Sequence, residues 1–100
     1  MPHLICYDIS GNSLRAKIGR KIIEYGLDRI NKSVYLGNIS ESSLTKLELA
    51  IHQWLKDKGA PRDSLIILPV TAAQIQQIKV YGLNELDKDE LSGDKSTLIV

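Results

Sequence analysis

The sequence predicts an α+β fold, in which helices pack on one face of an antiparallel sheet. The chain has 100 residues, the size of a single domain with one hydrophobic core. Apolar residues make up 43% and charged residues 25%, as in ordinary globular proteins. Apolar runs typical of strands and segments with helical spacing follow one another in the order strand, helix, two strands, helix, strand.

The first strand and helix are the clearest elements. Residues 3–9 are almost continuously apolar or β-favouring, which predicts a central strand covered on its faces. From Leu14 onwards the apolar residues recur at helical spacing. Asn12 or Ser13 is the expected N-cap, and Gly26 is the expected end of this helix.

A strand pair and a longer helix follow. Residues 27–31 and 34–39 predict two short strands, or one long strand that bends between them. Residues 41–58 carry apolar side chains at helical spacing and predict the second helix. Ser40 is its expected N-cap, and Gly59 begins the segment that terminates it.

The last elements are shorter. Residues 65–70 predict another buried strand, with its proline near an edge or exit, whereas residues 72–77 are ambiguous. Ile78 and Val80 alternate with a polar residue and suggest a short final strand. We therefore expect a domain over residues 1–82, followed by an acidic segment and apolar tail over 83–100.

This order, βαββαβ with a short extra C-terminal strand, matches the ferredoxin-like arrangement of two helices on one face of an antiparallel sheet. The other face of the sheet would remain uncovered. Because aliphatic side chains are costly to leave in water, a homodimer joined sheet to sheet is a natural solution.

Charge is distributed unevenly, although the net charge is only +1. Residues 14–32 hold six basic and two acidic side chains, whereas residues 85–95 hold five acidic side chains and two lysines. The first segment could meet phosphates and the second would avoid them. Charge runs are commonly just solvated helix faces, so charge alone does not assign a nucleic-acid partner.

Several other function classes lack support. His3 and His52 have no partner at metal-ligand spacing, and the serines show no histidine and acid arrangement typical of hydrolases. Cys6, the single cysteine, lies in a predicted strand, where a small buried hydrophobe is expected. Apolar runs are much shorter than a membrane span and no signal segment precedes them, which predicts a cytoplasmic protein without a membrane partner.

Three motifs at particular spacings resemble one known family. They are "YDIS" at the end of the first strand, "GLDRINKSVYLG" after the basic helix, and "DSLIILPV" towards the end of the domain. Over about residues 4–82 the chain is similar to the second CRISPR-associated adaptation protein, a small endonuclease-like partner of the spacer integrase. The resemblance implies a ferredoxin-like homodimer that binds RNA or DNA, and several members are described as magnesium-dependent nucleases.

By position, the resemblance implies which residues form the site. Asp8 would be the metal-site aspartate, holding Mg²⁺. The other implied site residues are three basic ones, Arg15, Lys17 and Arg29, and two aromatic ones, Tyr7 and Tyr35.

The chemistry of these residues suits that assignment. Magnesium prefers hard oxygen ligands and keeps several waters, so one carboxylate from each side of a two-fold axis can suffice. Arginine and lysine would neutralise phosphate, and tyrosine could stack on a base. Without the resemblance, Asp8 is more simply a cap of the following loop or helix, and tyrosines in strands are commonly core residues.

The leading hypothesis is a homodimeric endonuclease of spacer acquisition that hydrolyses phosphodiester bonds in single-stranded RNA or double-stranded DNA with Mg²⁺. The alternative is a non-catalytic structural subunit that bridges integrase dimers and holds protospacer DNA. A third possibility is a ferredoxin-like regulatory module or a toxin-type ribonuclease.

Overall fold

Strands and helices follow one another in the expected order in the computed structural model, which describes residues 1–82 and residue 88. The elements are β1 (Pro2–Asp8), α1 (Asn12–Glu24), β2 (Asp28–Asn31), β3 (Val34–Asn38), α2 (Glu41–Lys58), β4 (Ser64–Pro69) and α3 (Ala72–Gln76). The strands form one antiparallel sheet in the order β2-β3-β1-β4. The predicted ferredoxin-like α+β fold is confirmed.

Local signals account for α2. The Ser40 side chain accepts a hydrogen bond from the backbone N–H of Ser43, 3.2 Å away, and satisfies one of the free N–H groups of the first turn. The helix ends at Lys58, before Gly59. The predicted bounds and cap of α2 are confirmed.

The start of α1 differs from the prediction. Its N-cap is Gly11, and no side chain caps the helix, because Asn12 and Ser13 lie inside its first turn. The Asn12 Oδ1 atom instead accepts a hydrogen bond from the Arg15 guanidinium. The helix is followed by Gly26, whose φ of +95° is a conformation that favours glycine, as expected.

The strand pair is resolved in favour of two strands. Strands β2 and β3 are joined by a tight turn at Lys32 and Ser33, and Ser33 has a φ of 62°. The register places Arg29 of β2 opposite Tyr35 of β3, so their side chains share one face of the sheet.

The main core lies between one face of the sheet and helices α1 and α2; we call this side of the sheet the helix face. Ile5 of β1 is fully buried there, with Ile18 of α1 and Leu47 of α2. Trp54 of α2 is partly buried against this core.

The opposite side of the sheet, which we call the open face, is only partly covered. Ile75 of α3 packs there with Leu36 of β3 and with Val70. This helix was not predicted, since residues 72–77 carry no clear period, but Thr71 and Gln74 form a reciprocal capping box that starts it. On β4, Ile66 remains 60% exposed and Leu68 53% exposed.

The predicted short strand at Ile78 and Val80 is wrong for the single chain. Residues 77–82 form no strand, and Val80 and Tyr81 are exposed. A strand needs a partner to satisfy its backbone groups, whereas the N–H groups of Gln77 and Ile78 donate to carbonyls of α3 and form the turn that ends this helix. Residues 83–100 lie outside the described part of the chain except for residue 88, so the predicted domain boundary stays a prediction. Among the described helices, none combines the length and apolarity needed to cross a bilayer.

Candidate functional site

Adjacent residues at the end of β1 point to opposite faces of the sheet. Tyr7 packs against the main core with Ile5, on the helix face. Asp8 shares the parity of Leu4, which packs with the cluster on the open face. The predicted site therefore divides between the two faces of the sheet.

Asp8 is exposed and lies opposite Ser64 at the end of the β1–β4 ladder. Among the described residues, its carboxylate has no side-chain hydrogen bond or ion pair. Since Gly11 is the N-cap of α1 and no side chain caps that helix, the alternative that Asp8 is a helix cap is wrong. The carboxylate is free to bind a ligand from solvent.

Asp63, which sequence reasoning missed, is the acid that organises this region. Its Oδ1 atom accepts hydrogen bonds from the Ser10 backbone N–H at 3.0 Å and from the Ser10 hydroxyl at 3.1 Å. Its Oδ2 atom accepts from the Ala60 N–H at 2.8 Å. The N–H of Ala60 and then that of Ser10 lower the pKa of the Asp63 carboxyl, because both stabilise its charged form.

Tyr7 and Tyr35 form a pair beneath α1. Their hydroxyls lie 3.1 Å apart, and their rings stack with centroids 5.9 Å apart. Gly19 of α1 makes room for both hydroxyls, since a Cβ atom there would lie 2.7 Å from the Tyr35 hydroxyl. Burial, followed by the hydrogen bond with Tyr35, raises the pKa of Tyr7 to about 12. Tyr7 is thus a neutral hydroxyl at physiological pH.

A pocket of about 350 Å³ opens above this pair, between α1 and the β2–β3 hairpin. We call it the basic pocket because its charged lining is entirely cationic: Arg15, Arg20, Arg29 and Lys32. Tyr7 and Tyr35 also line it. The structure thus brings together four predicted site residues, and adds Arg20 and Lys32.

The Arg15 side chain also has a local structural role. Its Nη1 atom donates to the Ile9 carbonyl at 3.0 Å, and its Nη2 atom donates to Asn12. Part of its hydrogen-bonding capacity therefore holds the β1–α1 loop, and Arg20 and Arg29 are the more exposed guanidinium groups of the pocket.

Lys17 lies apart from the basic pocket. Its ammonium sits 4.3 Å from the centroid of the Trp54 ring, a cation–π contact between α1 and α2. Neither Lys17 nor Asp8 lines the basic pocket. The predicted residues thus occupy three places: the pocket, the α1–α2 groove and the end of β1.

The described residues offer one suitable ligand for a magnesium ion, the Asp8 carboxylate. No group of three or more histidine, cysteine, aspartate or glutamate side chains is close enough to hold a metal within the described residues. The exposed Asp8 carboxylate is suitable for an ion that keeps most of its waters, and the described residues place no second carboxylate beside it in a metal-binding group.

Comparison with known proteins identifies the family. Residues 1–78 match the family described as CRISPR associated protein Cas2. A CRISPR-associated endoribonuclease Cas2 from Aeropyrum pernix is 36% identical over 80 residues, which are 80% of this chain and 82% of the relative. A CRISPR-associated endoribonuclease Cas2 from Archaeoglobus fulgidus is 29% identical over 70% of this chain and 71% of its own length.

Solved structures show the same fold. Cas2 from Streptococcus pyogenes, crystallised at pH 6.5, superposes with a TM-score of 0.70 over 82% of this chain and all of its own, at 17% identity. A hypothetical protein from Thermus thermophilus gives a TM-score of 0.68 at 27% identity, covering 85% of this chain and 94% of its own. The match over most of the sequence shows that this chain belongs to the Cas2 family of CRISPR-associated proteins.

Proposed function

We propose that this protein acts in CRISPR adaptation as a nucleic-acid-binding homodimer that hydrolyses phosphodiester bonds in single-stranded RNA or double-stranded DNA with Mg²⁺. Family membership carries the proposal, because the curated relatives are named endoribonucleases. The exposed, unpartnered Asp8 carboxylate within the described residues supports it, since a hydrolytic metal site needs such a ligand.

The homodimer would complete the metal site. Asp8 lies on the open face, the same side of the sheet as the exposed Ile66 and Leu68 side chains. Two copies that bury these apolar side chains against each other would bring their Asp8 carboxylates to one interface. The second ligand, which the described residues of one chain do not supply, would then come from the partner.

Different residues of the site would bind the metal and the phosphates. Asp8 of both copies would hold Mg²⁺, which when bound polarises a phosphoryl oxygen and lowers the pKa of a coordinated water. Arg15, Arg29 and Lys17 would neutralise phosphates along the bound strand, by forked hydrogen bonds or as a point charge. Tyr7 would serve as a neutral hydroxyl rather than a base, because its pKa is about 12.

A nuclease assay on defined RNA and DNA, with Mg²⁺ and with chelator, tests the proposal. Asp8→Asn should abolish cleavage, because it removes the charge that holds the ion at nearly constant side-chain size. Asp28→Asn is the matched control, an exposed aspartate at the start of β2, and it should cleave like the wild type. Wild-type cleavage by Asp8→Asn would refute the metal assignment.

A non-catalytic subunit that bridges integrase dimers and holds protospacer DNA is the second candidate. One observation favours it: the basic pocket lies on the helix face, so phosphates could be held there without approaching Asp8. In chelator, Asp8→Asn should bind duplex DNA at least as tightly as the wild type, since a negative charge is lost. Spacer integration that survives Asp8→Asn, together with no cleavage by the wild type, would favour this candidate.

A further inference from the structure

The β1–α1 loop, which follows Asp8 directly, is fastened from two sides. From the α1 side, the Arg15 guanidinium donates to the Ile9 carbonyl. From the other side, Asp63 accepts both the backbone N–H and the hydroxyl of Ser10 on a single oxygen. Both anchors are ionised side chains, which make stronger hydrogen bonds than neutral groups.

The other oxygen of Asp63 holds its own loop. Oδ2 accepts the Ala60 N–H, and the Asp63 N–H donates to the Ala60 carbonyl at 3.0 Å. This carboxylate therefore links the α2–β4 loop, at Ala60, to the β1–α1 loop, at Ser10. Its two partners come from parts of the chain that only the fold brings together.

The link is made beside the end of the sheet. Ser64, the residue after Asp63, is opposite Asp8 in the β1–β4 ladder, and no later residue of β1 continues the ladder. Ends of ladders fray readily. Asp8 itself pairs with Ser64, and the contacts of Asp63 fix Ser10 two residues later, so the backbone is held at Asp8 and just beyond it.

We propose that Asp63 is a positioning residue, which fixes the end of β1 so that Asp8 presents its carboxylate to a divalent cation without first becoming ordered. Ordering a backbone residue costs free energy. If Asp8 lay on a frayed strand end, it would have to become ordered when the ion binds, and the affinity for the ion would be lower. This inference rests on the proposed role of Asp8. It assigns no direct metal contact to Asp63, whose oxygens are already occupied by N–H and O–H donors.

The experiment combines a structural and a binding measurement on the full chain. Amide hydrogen exchange reports the order of residues 8–11, and calorimetric titration with Mg²⁺ alone reports affinity. Asp63→Ala should accelerate exchange across residues 8–11 and weaken Mg²⁺ binding about tenfold. This is the smaller effect expected when a residue that orients a metal ligand is replaced. Asp63→Asn should be intermediate, because its amide oxygen can still accept from Ser10 whereas its nitrogen cannot accept from Ala60.

Asp57→Ala is the matched control. Asp57 is an exposed aspartate in the last turn of α2, and its carboxylate accepts a hydrogen bond from Gln53 of the same helix. It should change neither exchange at residues 8–11 nor Mg²⁺ affinity. Circular dichroism confirms that each variant is folded, and Asp63→Asn provides the comparison if Asp63→Ala is not.

The outcomes separate the two proposals. If the wild type binds Mg²⁺ and Asp8→Asn abolishes this binding, unchanged affinity in both Asp63 variants overturns the positioning role alone. Weaker binding with unchanged exchange would make Asp63 a metal ligand and also overturn it. If Asp8→Asn binds Mg²⁺ like the wild type, or the wild type does not bind it, the metal site at Asp8 is overturned and the positioning role falls with it.

Discussion

At the scale of single residues, Tyr7 shows how neighbouring side chains set the chemistry of a group. Its hydroxyl is held against the Tyr35 hydroxyl beneath α1, and burial raises its pKa to about 12. The positive charge of Arg29 acts in the opposite direction, since it favours the tyrosinate, but it is a smaller effect. Tyr7 therefore keeps its proton throughout the physiological range and can donate or accept a hydrogen bond in the basic pocket.

This shift predicts a loss of stability at alkaline pH. An unfolded tyrosine ionises near pH 10, so the unfolded chain releases the proton of Tyr7 before the folded chain does. The contribution is fully present below about pH 10 and is lost as pH rises towards about 12. Urea unfolding across this range should show a shallower decline for Tyr7→Phe than for the wild type. Tyr81→Phe, at a position 87% exposed, is the control, and an identical slope for Tyr7→Phe would contradict the shift.

At the scale of elements, α1 contributes to both parts of the site. Its first turn carries Arg15, which reaches back to the β1–α1 loop. One turn later, Gly19 lets the Tyr7 and Tyr35 hydroxyls approach the helix. The position of α1 over the sheet thus depends on a residue that lowers helix propensity but removes a steric obstacle.

Gly19→Ala should destabilise the protein although alanine is the better helix former. Alanine gains about 1 kcal/mol of helix propensity, but the new methyl would lie 2.7 Å from the Tyr35 hydroxyl. Overpacking of this kind costs about 1–3 kcal/mol, so we expect a net loss on the order of 1 kcal/mol in the free energy of unfolding, measured in urea. In a Tyr35→Phe background the same substitution should be neutral or stabilising. An equal effect in both backgrounds would show that the hydroxyl is not the obstacle.

At the scale of the whole molecule, the open face is a surface on which one chain leaves apolar side chains exposed to solvent. α3 covers part of it, while the β4 side chains Ile66 and Leu68 stay in solvent beside Asp8. Residues 78–81, where a short strand was predicted, also form no strand in the single chain. A second copy could cover the apolar side chains and pair with this segment.

The proposed homodimer should therefore depend on β4. Sedimentation at micromolar concentration is expected to show a dimer for the wild type and a monomer for the double variant Ile66→Lys and Leu68→Lys, because burying two ammonium groups is unfavourable. Leu49→Lys is the control, since Leu49 is 66% exposed on α2, on the other side of the molecule. A monomeric wild type, or a double variant that still dimerises, would exclude association through this face.

Features that depend on near neighbours in the chain could be predicted from the sequence. The bounds of α2 follow from helical spacing and from a serine cap that acts over three residues. The alternation of side chains along a strand also implies that Tyr7 and Asp8 face opposite sides of the sheet. The family resemblance assigned both residues to one site, and this signal was therefore not used. One local rule failed at the start of α1, where the N-cap is Gly11 and Asn12 already lies inside the first turn.

Contacts between residues that are distant in the chain could not be predicted, because they depend on the fold. Ser10 and Asp63 are 53 positions apart, and Tyr7 and Tyr35 are 28 positions apart. Such contacts depend on strand order and on how two loops approach each other, and neither leaves a periodic pattern in the sequence. The same is true of the division of the cationic residues of α1, because the fold decides which element lies on each side of the helix: the β2–β3 hairpin beside Arg15 and Arg20, and α2 with Trp54 beside Lys17.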